Sequence, residues 1–142
     1  MPYELLDHVA DARFRATGES LAAALAAAVD AFATICDTRP DRETTGTAVV
    51  TAAAHDREAL LFDFLGELIL LQDVDGSAVV SAAVVDVERE DGDDGGYRLE
   101  ATIRVAPIDA EDPLFDVKAP TYDGTVIEER DGGWVIEATL DI

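Results

Sequence analysis

The sequence predicts an α+β domain, mainly of antiparallel strands, with two helices packed on one side. Three observations carry that expectation. Apolar residues recur at helical spacing in only two stretches, both in the first half. Beyond them the chain reads as strand and turn to its end, so the regular alternation of a doubly wound sheet is missing. The chain has 142 residues and is 49% apolar, enough for one domain over residues 1–142 with a real core, and too apolar for a disordered chain. No internal repeat and no linker divides it.

The elements follow in order. Residues 3–7 and 12–17 read as two short strands, and Gly18 punctuates the second. Ser20 is a good helix cap, and Leu21, Leu25, Ala28, Val29, Phe32 and Ile35 follow at helical spacing. Cys36, near the end of this helix, reads as a small buried thiol. A polar connection containing Pro40 leads to a β-rich stretch, 45–54. Asp56 caps a second helix whose apolar stripe includes Ala59, Leu60, Phe64, Leu68 and Leu71. Leu61, Leu65 and Ile69 widen that stripe, which predicts a heavily buried helix. Glu67, inside the run, reads as a solvated position. Four strand-like segments complete the chain: 78–88, 97–105, a segment 117–121 leading into 125–130, and 134–140. The acidic, glycine-rich tip 91–96 reads as a solvated turn, because it lacks the distal Glu and helical flanks of a calcium loop of the EF-hand type.

The charge is extreme. There are 31 acidic and 10 basic residues, a formal net charge of -21, and only one lysine, Lys118. An acidic, lysine-poor, alanine-rich composition resembles proteins of salt-accumulating archaea. In molar salt the Debye length falls to roughly 3 Å, so surface carboxylates repel one another little. The same charge argues against direct grip on a phosphate backbone, which needs clustered Lys and Arg. No apolar run is long enough for a bilayer and no signal pattern opens the chain, so a cytoplasmic protein without membrane contact is expected. A single cysteine rules out an internal disulfide.

Two stretches hold the candidate chemistry. Asp7, His8 and Asp11 lie within five residues on an otherwise apolar segment. In the last strand Trp134, Ile136, Ala138 and Leu140 share one face, which places Asp141 on the other, more polar face with Val135, Glu137 and Thr139. Each residue also has a plain reading: Asp11 as a turn cap, His8 as a packed side chain, Asp141 as a solvated strand end. With two histidines and one cysteine, a zinc site is disfavoured; any metal here would be held by carboxylates and would suit calcium, magnesium or manganese. Phosphate-binding glycine loops, dinucleotide-binding fingerprints and nucleophile elbows are all missing. A stand-alone metal-dependent phosphoester hydrolase or nucleotide-binding enzyme using Asp7, His8 and Asp11 is the alternative reading.

Several segments together resemble the archease family. They are Tyr3-Glu4-Leu5-Leu6-Asp7-His8-Val9-Ala10-Asp11; the amphipathic stretch from Ser20 to Cys36; Glu58-Ala59-Leu60-Leu61-Phe62-Asp63-Phe64-Leu65-Gly66-Glu67-Leu68; Val117-Lys118-Ala119-Pro120-Thr121-Tyr122; and the ending Leu140-Asp141-Ile142. Each is weak alone, and their order and spacing along the whole chain are specific. Val9 stands where the family usually has Thr, Phe64 where it has Trp, and Asp123 where a His often follows. The resemblance implies an archease-like fold and a non-enzymatic activator of the RtcB-type RNA ligase. Such a protein promotes ligase guanylylation and multiple turnover in tRNA splicing, and meets tRNA only through the ligase. It implies a calcium-type site made by Asp11, Asp141 and a main-chain oxygen of Ile142. Asp7, His8, Lys118 and Tyr122 are further candidates, for supporting that site or for partner contact.

Overall fold

Seven strands and two helices are present among the described residues, in the order β1 (Tyr3–Leu6), β2 (Asp11–Gly18), α1 (Leu21–Ile35), β3 (Gly46–Ala54), α2 (Arg57–Asp73), β4 (Ser77–Arg89), β5 (Tyr97–Pro107), β6 (Ala119–Arg130) and β7 (Gly133–Asp141). The structure, a computed structural model, describes residues 2–6, 11–36, 38, 43–90, 95–108 and 114–142. The expected Asp91-Gly92-Asp93-Asp94 part of the hairpin tip, together with Asp7, His8 and Pro40, lies outside the described residues.

The strands form two sheets, all of whose pairings are antiparallel. The first runs β1-β2-β7-β6 and the second β3-β5-β4. The first sheet therefore joins the two ends of the sequence, with β2 and β7 as its central pair. Both helices touch both sheets: α1 packs on β2 and β7 of the first and on β4 of the second, and α2 on β6 of the first and on β3, β4 and β5 of the second.

Each helix starts where its cap residue predicts. The Ser20 hydroxyl accepts the Ala23 N–H at 3.0 Å and an Asp56 carboxylate oxygen accepts the Ala59 N–H at 2.7 Å. Each bond satisfies one of the backbone donors that a helix start leaves unpaired. The turn into α1 is tight. A methyl group at Gly18 would stand 2.4 Å from the Ala24 nitrogen, which is why the chain has no side chain there.

The core lies on the inner faces of the sheets and along both helices. Phe14, Leu25, Phe32, Leu60, Phe64, Leu68, Leu99, Ile103 and Ile136 are fully buried and belong to one continuous cluster. The segment expected at 117–121 leading into 125–130 is the strand β6, whose pairing with β7 slips between Thr121 and Val126. Gly124 inside the slip has φ +66°, a conformation that suits glycine. Glu67 is half-buried on α2. Cys36 is fully buried at the end of α1, as its type predicts. Among the described residues no helix is long and apolar enough to cross a membrane.

Candidate functional site: a carboxylate pair closing the central strands

The β2–β7 ladder is continuous from Gly18 opposite Trp134 to Asp11 opposite Asp141. Two-residue periodicity puts Asp11, Arg13, Arg15 and Thr17 on one face of β2, and their partners Asp141, Thr139, Glu137 and Val135 on the same face of β7. Phe14 and Ala16 of β2, with Ile136, Ala138 and Leu140 of β7, fill the opposite, buried face. Burial of that apolar set fixes the register. A slip by one residue would turn it to solvent, so the position of the two aspartates follows from the core pattern.

The polar face is graded along its length. Arg15 donates from Nε and Nη2 to Glu137 Oε1 at 3.0 and 2.7 Å, and also pairs with Glu4 of β1. Glu137, ahead of Glu4, raises the Arg15 pKa further above its ordinary value. One rung on, Arg13 Nε donates to Thr139 Oγ1 at 3.0 Å and its Nη2 donates to the Gly124 carbonyl at 3.4 Å. The Arg13 guanidinium thus ties the slipped segment of β6 to the central strands. Thr139 is buried beneath it. The last rung is Asp11 facing Asp141.

Directly opposed residues of an antiparallel pair have Cβ atoms about 4.5–5.5 Å apart, and like charges placed so destabilise the pairing. A second acidic opposition exists, Asp86 facing Glu100, on the outer face of the second sheet. The two differ in their backbone surroundings. Asp86 and Glu100 sit within a running ladder whose main-chain groups are engaged on either side of β5. Asp11 and Asp141 close theirs, so the main-chain oxygen of Ile142 lies past the last rung. Carboxylate and carbonyl oxygens are the donors that hard cations take. In the chemistry of their oxygen atoms, these residues fit a calcium-type ion.

The third strand meets the same point. Ala119 of β6 faces Asp141, and the Lys118 N–H donates to the Asp141 carbonyl at 2.8 Å. The Lys118 side chain is exposed. Tyr122 stands further along β6, 56% exposed, with its ring stacked on Phe62 of α2 at 4.3 Å between centroids. The structure brings Asp11, Asp141, Ile142 and Lys118 to one end of the first sheet and places Tyr122 beside α2. Asp7 and His8 lie outside the described residues. Among the described residues no group of three or more His, Cys, Asp and Glu side chains is gathered as a metal cluster, so any ion at this end depends on main-chain oxygen or on added ligands. Arg13, which fastens the slipped strand to the centre, was not singled out by the sequence reading. Its signal was its alternation with Asp11 and Arg15, a polar face two residues in period.

Comparison with known proteins agrees with this fold. The model of the Archease protein family matches residues 3–142. The chain is 33% identical over 144 residues to the protein archease of Methanosarcina mazei, covering 99% of this chain and 95% of that one. It is 34% identical over 144 residues to the protein archease of Thermococcus gammatolerans, covering 99% and 98%. Among solved structures, protein 1598 of Methanobacterium thermoautotrophicum superposes with a TM-score of 0.77 at 25% identity, covering 99% of both chains. A Thermotoga maritima protein described as an archease, possible chaperone, shares the fold with a TM-score of 0.55 at 15% identity, covering 96% of this chain and 94% of that one. With its whole length matched, from the first strand to the closing aspartate, the chain belongs to the archease family.

Proposed function

We propose that this chain is a non-enzymatic activator of an RtcB-type RNA ligase in tRNA splicing, acting in the cytoplasm of a salt-adapted cell. In this reading Asp11, Asp141 and the main-chain oxygen of Ile142 hold one hard divalent cation, calcium or an ion of similar preference. The observation that supports it most is the register that sets Asp11 against Asp141 at the end of the central strands, in a chain of the archease family. A pair of carboxylates with one carbonyl supplies fewer than the roughly six to eight oxygens that calcium takes. In this reading water or the partner's own groups complete the set. Lys118, the one lysine of the chain, is exposed, its backbone N–H bonded to the Asp141 carbonyl, and in this reading it supplies a compact positive charge toward the ligase or its nucleotide. The net charge of -21 fits a helper that leaves RNA to its partner.

The test is guanylylation of the ligase, followed in molar potassium chloride with and without the chain. The expected result is faster guanylylation and repeated ligation when it is present. Asp11→Asn and Asp141→Asn each lose most of that stimulation while keeping the wild-type circular dichroism. Equal stimulation by both folded variants would remove the carboxylate site from the account, and no stimulation by the wild type would remove the activator role.

A further inference from the structure

The two sheets expose four edge strands among the described residues: β1, β6, β3 and β4. Three of them carry devices that discourage pairing with another chain. β1 is four residues long. β6 contains Pro120, a register slip, and the charged residues Asp123, Glu128, Glu129 and Arg130. β4 has two register irregularities and ends in Asp86, Glu88 and Arg89. β3 has none of these. Its nine residues, Gly-Thr-Ala-Val-Val-Thr-Ala-Ala-Ala, pair with β5 in unbroken register from Gly46 opposite Val105 to Ala54 opposite Tyr97. They include no proline and no charged residue, in a chain that is 29% charged. On the outer face Val49 is 62% exposed, and it continues across Thr102 to Val84, itself 52% exposed.

We infer that β3 is a pairing edge for a second copy of this chain, joining two three-stranded sheets into one of six strands. The choice of occupant rests on charge and symmetry. Two chains of net charge -21 repel wherever their acidic surfaces meet. β3 is a nine-residue stretch of sheet edge along which two copies can meet without setting carboxylate against carboxylate. A two-fold axis through Val50 pairs all nine residues of one strand with all nine of the other. Val50 then meets Val50, Val49 meets Thr51, Ala48 meets Ala52 and Thr47 meets Ala53. Outer-face residues meet outer-face residues and core-facing residues meet core-facing ones, as an antiparallel ladder requires. Every pair is neutral, small or β-branched, and the main-chain groups of the edge supply the hydrogen bonds. The residual long-range repulsion makes the association dependent on salt.

Sedimentation of the full chain at micromolar concentration, in dilute and in molar potassium chloride, tests this. The wild type is expected to sediment as a monomer in dilute salt and as a dimer in molar salt. Val49→Lys places a charge in the pairing edge at an already exposed position, and is expected to remain monomeric in molar salt with unchanged circular dichroism. Val84→Lys makes the same change on β4 and is expected to dimerise as the wild type does. Both substitutions lower the net negative charge, so a loss confined to Val49→Lys cannot arise from altered repulsion. A wild type that stays monomeric in molar salt, or a Val49→Lys chain that dimerises normally, would overturn the proposal. So would capture of an extended peptide by the wild-type edge without self-association.

Discussion

Cys36 shows how much one side chain's surroundings decide. Its thiol is fully buried, and burial pushes its pKa from 9.0 up to about 11. The Gln72 amide works against that shift, donating from Nε2 to the sulfur at 3.4 Å while its oxygen accepts the Val79 N–H at 3.1 Å. One glutamine thus joins the ends of both helices to the start of β4. A thiol so held is a packing group, since only the thiolate reacts. Thiol reagents are expected to leave Cys36 unmodified in the folded chain at neutral pH and to label it fully in denaturant. Labelling at the same rate in both states would contradict this. The linkage has a definite sign. With the folded pKa raised, the stability that Cys36 contributes is fully present below about pH 9 and is lost as pH rises through about 11. Asp30 is shifted the same way, its carboxyl pushed up by burial first and drawn back by Arg104. Neither shift was visible in the sequence. Cys36 was legible as buried from its type and place on the helix, but Gln72, a polar residue near the end of α2, gave no sign of its two partners, because they come from other elements.

At the scale of the element, local chemistry set most boundaries. Ser20 and Asp56 start their helices where cap preference puts them, and alternation, β-rich composition and turn residues marked the strands. What it did not give was the slip in β6. A register slip depends on the partner strand, and Arg13, which holds the slipped segment through Gly124, lies 111 residues away in the chain. The turn before α1 offers the sharpest element-level test. A methyl group at Gly18 would stand 2.4 Å from the Ala24 nitrogen and 2.7 Å from the Ala23 carbonyl carbon, both backbone atoms that move only with the helix. Gly18→Ala is expected to cost about 1–3 kcal/mol, the range of overpacking in a close-packed interior. Urea unfolding measures it, and an unchanged midpoint would contradict the close approach of β2 and α1. By contrast Gly46 has open space about its Cα, so Gly46→Ala serves as a control with little expected loss.

At the scale of the molecule, the dominant fact is the charge of -21 on a 15.1 kDa chain. Screening shortens from roughly 30 Å in 0.01 M salt to roughly 3 Å at 1 M. The self-repulsion of the folded surface should therefore fall steeply with salt. The midpoint of thermal unfolding is expected to rise from dilute to molar potassium chloride, and a midpoint insensitive to salt would separate the acidity from stability. The same scale shows where the sequence reading stopped. Periodicity placed Asp141 on the polar face of the last strand, while Asp11 read as a turn residue just before the strand expected at 12–17. It held nothing to say that these strands are neighbours, because antiparallel pairing of β2 with β7 joins residues at opposite ends of the chain. The resemblance to the archease family joined them first, and the register sets them opposite each other.

The proposed role of the molecule turns on whether that opposition holds an ion. Calorimetric titration of calcium into the chain in molar potassium chloride tests it most directly. Asp86→Asn serves as the control, because it removes the same charge from the other acidic opposition. The expectation is one saturable site in the wild type and in Asp86→Asn, absent or weakened at least tenfold, about 1.4 kcal/mol, in Asp11→Asn and Asp141→Asn. Equal binding by all four proteins, or weakening by Asp86→Asn alone, would contradict the assignment.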